Sequence, residues 1–264
     1  MTQSVEQRWQ VRIARAREMQ KRHAPAARIL RFYETVLEFQ ESVARPADAA
    51  GTTDSPLRKQ IDVEFALAKL PELLALSVES GPKGLSARAE ALQRYDTARL
   101  RKPFLEATAT PSAPKDEVTW FFTRACLQPI AENLQLQWAF DANYSASLCP
   151  VCFARPQLAV LRPEGEGSAR WLQCSFCLRE WLFRRLICPW CGEEDKEKLP
   201  HYSDPSVGAV RVEACDTCQR YLKAVDLTID GHAVPLVDEV ALSVLDVWAH
   251  EHGYTKIVPN LMGL

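Results

Sequence analysis

Eight of the chain's nine cysteines stand in four Cys-x-x-Cys pairs: Cys149/Cys152, Cys174/Cys177, Cys188/Cys191 and Cys215/Cys218. Two residues between cysteines make a tight knuckle, so both sulfurs can reach one ion at about 2.3 Å. Two knuckles at the ends of neighbouring hairpins give four sulfurs in a tetrahedron. The gaps between pairs are 21, 10 and 23 residues, and the pattern reads as one unit written twice. Both units open on Cys-Pro, and the gap of 10 suits a join between them. Two closed four-thiolate sites are therefore expected, the first from Cys149, Cys152, Cys174 and Cys177, the second from Cys188, Cys191, Cys215 and Cys218. Soft thiolates select zinc, or iron in a rubredoxin-like site. Four thiolates leave no open coordination position, so each ion is expected to hold a small hairpin unit together and catalyse nothing. Two other readings of the same residues stand beside this one. One is dithiol redox or sulfur-transfer chemistry at separate pairs. The other is interleaved pairing, first with third and second with fourth, which needs crossed connectivity.

The elements that position these cysteines differ between the two halves of the 264-residue chain. Residues 1 to about 140 read as helices. The first is expected over 5–23, with Arg8, Arg12 and Arg15 along one side; residues 1–46 hold nine Lys+Arg against five Asp+Glu and read as a wet helix surface, not a binding arm. A second follows Pro25, with an apolar face from Ile29 to Phe39. Residues 45–55 are a loop by composition, and a third helix is expected from Pro56 with Ser55 as N-cap and Pro71 kinking it. A fourth covers 86–100, residues 107–116 are a linker, and a fifth covers 116–140 with Pro129 breaking it. Residues 157–162, 169–173, 209–214 and 221–227 carry hairpin signals. A final helix is expected over 237–251, with Val237, Val240, Ala241, Val244, Leu245 and Trp248 on one face. The fold class is thus α+β: a helical segment 1–145, then a four-cysteine ribbon module over 146–187, then a second over 188–264 with the C-terminal helix.

Other candidates are weaker. Cys126 lies on an apolar helical face and reads as a buried inert thiol. His201, His232, His250 and His252 add no ligand pattern. The chain has no G-x-S-x-G, phosphate-loop or Rossmann glycine pattern. Hydrophobic residues are 47% and charged residues 25%, which excludes wholesale disorder. The block 149–226 holds eleven basic and eleven acidic side chains. Each four-thiolate site adds −2 when it holds a divalent ion, the wrong sign for phosphate, so nucleic acid is not the expected partner. The charged N-terminus has no apolar run of signal-peptide length, and nothing has the length and apolarity of a membrane span, so a cytoplasmic protein with reduced thiols is expected.

The segment from Arg170 to Trp181 (RWLQCSFCLREW) resembles the second knuckle of the formate dehydrogenase accessory protein family, FdhE. Residues 185–192 (RLICPWCG) are similar to its third knuckle. The string Cys215-Asp-Thr-Cys-Gln-Arg-Tyr-Leu-Lys223 is similar to its fourth, and 237–246 (VDEVALSVLD) to its closing helix. The family's glycine after the first knuckle is Phe153 here; Gly192 keeps that feature. The resemblance implies a cytoplasmic, non-catalytic protein needed to produce active formate dehydrogenase, binding that enzyme's catalytic subunit and carrying rubredoxin-like sites for iron or zinc. The ribbon face near Trp181, Arg185, Tyr221 and Lys223 is the candidate contact. Its alternative is hairpin packing for Trp181 and Tyr221 and solvated charge for Arg185 and Lys223.

Overall fold

The computed structural model describes residues 4–44, 56–109, 117–204 and 207–264. The expected loop 45–55, its Ser55 cap and residues 110–116 of the expected linker lie outside them. The first half is helical: α1 (Val5–Arg22), α2 (Ala27–Val43), α3 (Val63–Ser80), α4 (Lys83–Leu92), α5 (Thr97–Ala109) and α6 (Glu117–Leu134). Ser4 opens α1 with a capping box, its hydroxyl accepting from Gln7 N while the Gln7 side chain accepts from Ser4 N. α3 starts at Val63, not Pro56, because Asp62 is the residue whose carboxylate accepts from Phe65 N; a short 3-10 turn (Leu57–Gln60) precedes it. The expected fourth helix is two, α4 and α5, and α5 takes in 107–109 of the expected linker.

α6 is the centre of the helical half. Residues 121–129 are all buried, so the helix is covered on every side. Pro129 does not break it. A proline there removes the donor for the carbonyl four residues back, Ala125 O. The buried Gln40 side chain of α2 donates to that oxygen at 3.1 Å and replaces the missing bond. Pro71 likewise lies inside an unbroken α3.

Among the described residues seven strands form one mixed sheet: β1 (Pro156–Glu164), β2 (Gly167–Cys174), β3 (Glu180–Leu182), β4 (His201–Tyr202), β5 (Val210–Cys215), β6 (Arg220–Asp226) and β7 (Thr255–Lys256). Their order is β3-β2-β1-β6-β5-β4, with β7 beside β6. Each repeat contributes three antiparallel strands, and the repeats follow one another across the sheet in the same sense. β1 and β6 join them in parallel, pairing 158–161 with 223–226. Both carry continuous buried runs, as expected of strands covered on two faces.

One apolar core runs from α1, α2, α3 and α6 through Leu172, Trp181 and Leu222 of the sheet to Val237 and Val240. The final helix is two short ones, α7 (Pro235–Ala241) and α8 (Val244–Glu251). The buried Lys223 ammonium takes the carbonyls of Glu239 and Leu242 at the end of α7, which fixes the stop. The turn between them puts Val244 in solvent, against the expected shared face. The Arg8–Arg12–Arg15 side of α1 is not a wet surface. Arg8 and Arg12 close on Glu132 of α6, and Arg15 on Asp238 of α7, because these carboxylates are themselves buried.

Candidate metal centres

The eight knuckle cysteines gather into two sets of four, Cys149/Cys152/Cys174/Cys177 and Cys188/Cys191/Cys215/Cys218, with all sulfurs of a set within 4.8 Å of one another. The first knuckle is thus brought to the second and the third to the fourth; the structure does not bring together the interleaved sets. In the first set, Cys149 and Cys177 sulfurs lie 3.6 Å apart and those of Cys152 and Cys174 3.3 Å. In the second, Cys188–Cys218 and Cys191–Cys215 are both 3.7 Å. A disulfide needs about 2.05 Å. A tetrahedron with metal–sulfur bonds of about 2.3 Å has edges of about 3.8 Å. The donor set therefore fits a tetrathiolate ion in each case.

The knuckles share a backbone form. In the first, Phe153 N donates to Cys149 O at 3.0 Å and Cys149 N to Ala154 O at 2.9 Å. In the third, Gly192 N donates to Cys188 O and Cys188 N to Glu193 O at the same distances. The residue after each knuckle's second cysteine has positive φ: Phe153 (59°), Leu178 (59°), Gly192 (79°) and Gln219 (54°). Among the described residues no other non-glycine has positive φ. That turn aims backbone N–H groups at sulfur, as with Phe176 N to Cys174 Sγ at 3.3 Å and Trp190 N to Cys188 Sγ at 3.4 Å. Phe153 in place of glycine leaves the knuckle form intact. Burial pushes the thiols of Cys174 and Cys177 up, and sulfurs crowded around them add to this. A divalent cation reverses that balance by favouring thiolates.

The two sets have different surroundings. All four sulfur residues of the first are at most 2% exposed and belong to the main apolar core. Arg58, from the helical half, stacks its guanidinium over Phe176 at 4.2 Å and donates to Cys152 O at 3.0 Å. In the second set Cys191 is exposed and Cys218 half-buried. Trp190, in its knuckle, lies between Arg155 of the first unit at 3.9 Å and Arg220 at 3.7 Å, which stitches the two units together.

The expected contact residues fare differently. Trp181, Tyr221 and Lys223 are interior, at 0%, 4% and 0% exposure, so they form no face and Lys223 is no solvated charge. Trp181 donates to Ala146 O at 2.9 Å. Tyr221 OH donates to Asp246 at 2.8 Å. Lys223 pairs with Asp246 and with Glu239, and Lys256 pairs with the same two carboxylates. Two buried ammoniums thus meet two buried carboxylates, and Asn260 donates to Glu239. Burial works against the Asp246 carboxylate, but both lysines hold it below its ordinary range. Only Arg185 of the four is exposed, next to Leu186 at 59% exposure. Sequence reading missed Glu239, Asp246 and Lys256; the available signal was acids in an otherwise apolar helical stretch. It also missed Arg58, for which the sequence gives no signal. Cys126 is buried, and burial pushes its thiol up. Among the described residues no histidine joins either sulfur set.

Comparisons with known proteins place these features. Family models described as "FdhE, central domain" and "FdhE, C-terminal domain" match residues 148–185 and 187–262. The Protein FdhE homolog of Aquifex aeolicus is 30% identical over 254 residues, covering 89% of this chain and 88% of that protein. The Stutzerimonas stutzeri homolog is also 30% identical, covering 96% and 88%. That of Pseudomonas aeruginosa is 40% identical over 124 residues, or 45% of this chain and 40% of that protein. The crystal structure of the FdhE protein from Pseudomonas aeruginosa has the same fold, with TM-score 0.75 and 24% identity over 99% of this chain and 97% of that one.

Proposed function

This chain belongs to the FdhE family, and on that premise we propose that it is an accessory protein in the formation of active formate dehydrogenase. The observation that carries this reading is the reach of the relationship: 30% identity over 89% of the chain spans the helical half as well as the sulfur ribbons. Each sulfur set holds one ion, iron or zinc, through Cys149, Cys152, Cys174 and Cys177 or through Cys188, Cys191, Cys215 and Cys218. Such an ion supplies a four-way cross-link and offers no open position for a substrate. The protein acts in the cytoplasm by binding the dehydrogenase's catalytic subunit and catalyses nothing itself. Among the described residues no helix is long and apolar enough to cross a membrane. The gathering of four pairs into two sets supports ligation over dithiol chemistry, which needs only single pairs. The balanced charge of the ribbon block supports a protein partner over nucleic acid.

Of the residues read as contacts, Arg185 still faces solvent. We assign it, with Leu186, to the partner surface. The test is anaerobic capture of the catalytic subunit by the tagged full chain, beside recovery of formate dehydrogenase activity in cells lacking the accessory protein. Capture and recovery are expected, and the double variant Arg185→Glu, Leu186→Asp should capture less at unchanged fold. If the wild type gave neither capture nor recovery, the reading would be overturned.

A further inference from the structure

Two sites built from the same donors need not behave alike, because ion exchange at a tetrathiolate site is limited by access. A sulfur lets go when a proton or an incoming ligand takes over one of the two partners, and either must reach the site. At the second set the way is open. Cys191 is exposed, Cys218 is half-buried, and residues 194–198 of the loop that follows are all exposed. Neither Cys188 nor Cys215 belongs to an apolar core cluster.

At the first set all four cysteines are covered, at most 2% exposed. Its four cysteines are part of the core shared by helices and sheet. Arg58 covers Phe176 and holds the Cys152 carbonyl, so opening the site means parting the helical half from the ribbon. The free energy of such an opening approaches that of global unfolding, whereas an exposed loop opens for far less.

We infer that the second centre is the exchangeable one: its ion leaves and returns while the chain stays folded, and the ion of the first centre is permanent. This rests on the reading that each set holds an ion. Cys191 is the sulfur that releases first. The second site is thus where metal supply, or an external thiol or chelator, acts on the protein.

The experiment uses the full chain loaded with zinc under reducing, oxygen-free conditions and challenged with EDTA. Native mass spectrometry follows the zinc count, and iodoacetamide with peptide mapping reports which cysteines are freed. The expected course is loss of one zinc on the order of tenfold or more faster than the other, with helical circular dichroism unchanged. In the one-zinc species, label falls on Cys188, Cys191, Cys215 and Cys218 and spares the first four. Cys191→Ser is expected to abolish the fast phase and keep the slow one. Loss of both ions in one phase overturns the inference, as does label on Cys149, Cys152, Cys174 or Cys177 in the one-zinc species. A chain that takes up no zinc at all overturns the metal reading, and this inference with it.

Discussion

Phe153, Leu178, Gly192 and Gln219 occupy one position in four knuckles, and three of them lack the glycine that a left-handed backbone favours. A non-glycine residue there costs about 1–2 kcal/mol. Phe153 is 57% exposed, so little packing is lost on its removal. Phe153→Gly is therefore expected to stabilise the loaded protein by about 1 kcal/mol, seen as a higher urea midpoint at unchanged slope. A lower midpoint would mean the side chain has a role that its exposure hides. The buried ions behave oppositely. Lys223→Met leaves Glu239 and Asp246 with one ammonium between them and is expected to cost about 3–5 kcal/mol. Asp246 also sets a pH dependence. Its carboxyl is held low in the folded chain. Its contribution is thus present above the unfolded carboxylate range and is lost as pH falls through the lower folded value. Urea midpoints measured from pH 7 downward should fall more steeply below about pH 4 for the wild type than for Asp246→Asn.

At the scale of elements, α6 shows how a sequence signal is overruled. Pro129 reads as a breaker, yet Gln40 of α2 supplies the donor that its ring removes. Gln40→Met should leave Ala125 O bare and cost about 1–3 kcal/mol. In a Pro129→Ala background the helix regains its own N–H, and the same substitution should cost much less. Additive losses in that double-mutant cycle would refute the compensation. No local pattern reveals it, because the partners stand 85 positions apart. The single final helix fails for a related reason. Its stop at Leu242 is made by Lys223 from the sheet. The hairpins over β1, β2, β5 and β6 were legible because alternation and turn residues are local signals. So were the two sulfur sets, since ligand spacing constrains what can close on one ion. Arg58 was not, since nothing near it in sequence refers to Phe176. Nor were the ion pairs of Arg8, Arg12 and Arg15, whose acids stand far off in the chain.

For the whole molecule, the apolar core belongs to neither half alone. It takes in α1, α2, α3 and α6 together with Cys149, Leu172 and Trp181. Buried Arg15 joins α1 to Asp238 of α7, and Arg124 of α6 reaches Gln157 of β1 and the Pro259 carbonyl. The fragment 1–145 is accordingly expected to be expanded, to bind a hydrophobic dye and to melt without a cooperative transition. A sharp melt of that fragment would show that the helices need no ribbon.

The parallel pairing of 158–161 with 223–226 sets an order of assembly during synthesis. Until residue 226 leaves the ribosome, β1 presents a bare hydrogen-bonding edge, and its Leu158–Leu161 stretch has no cover on that side. A nascent chain paused in the second cysteine unit therefore carries an adhesive strand in its middle. Metal capture by the first four thiols, all upstream of that point, is what can pin the β1–β2 hairpin while it waits for its neighbour.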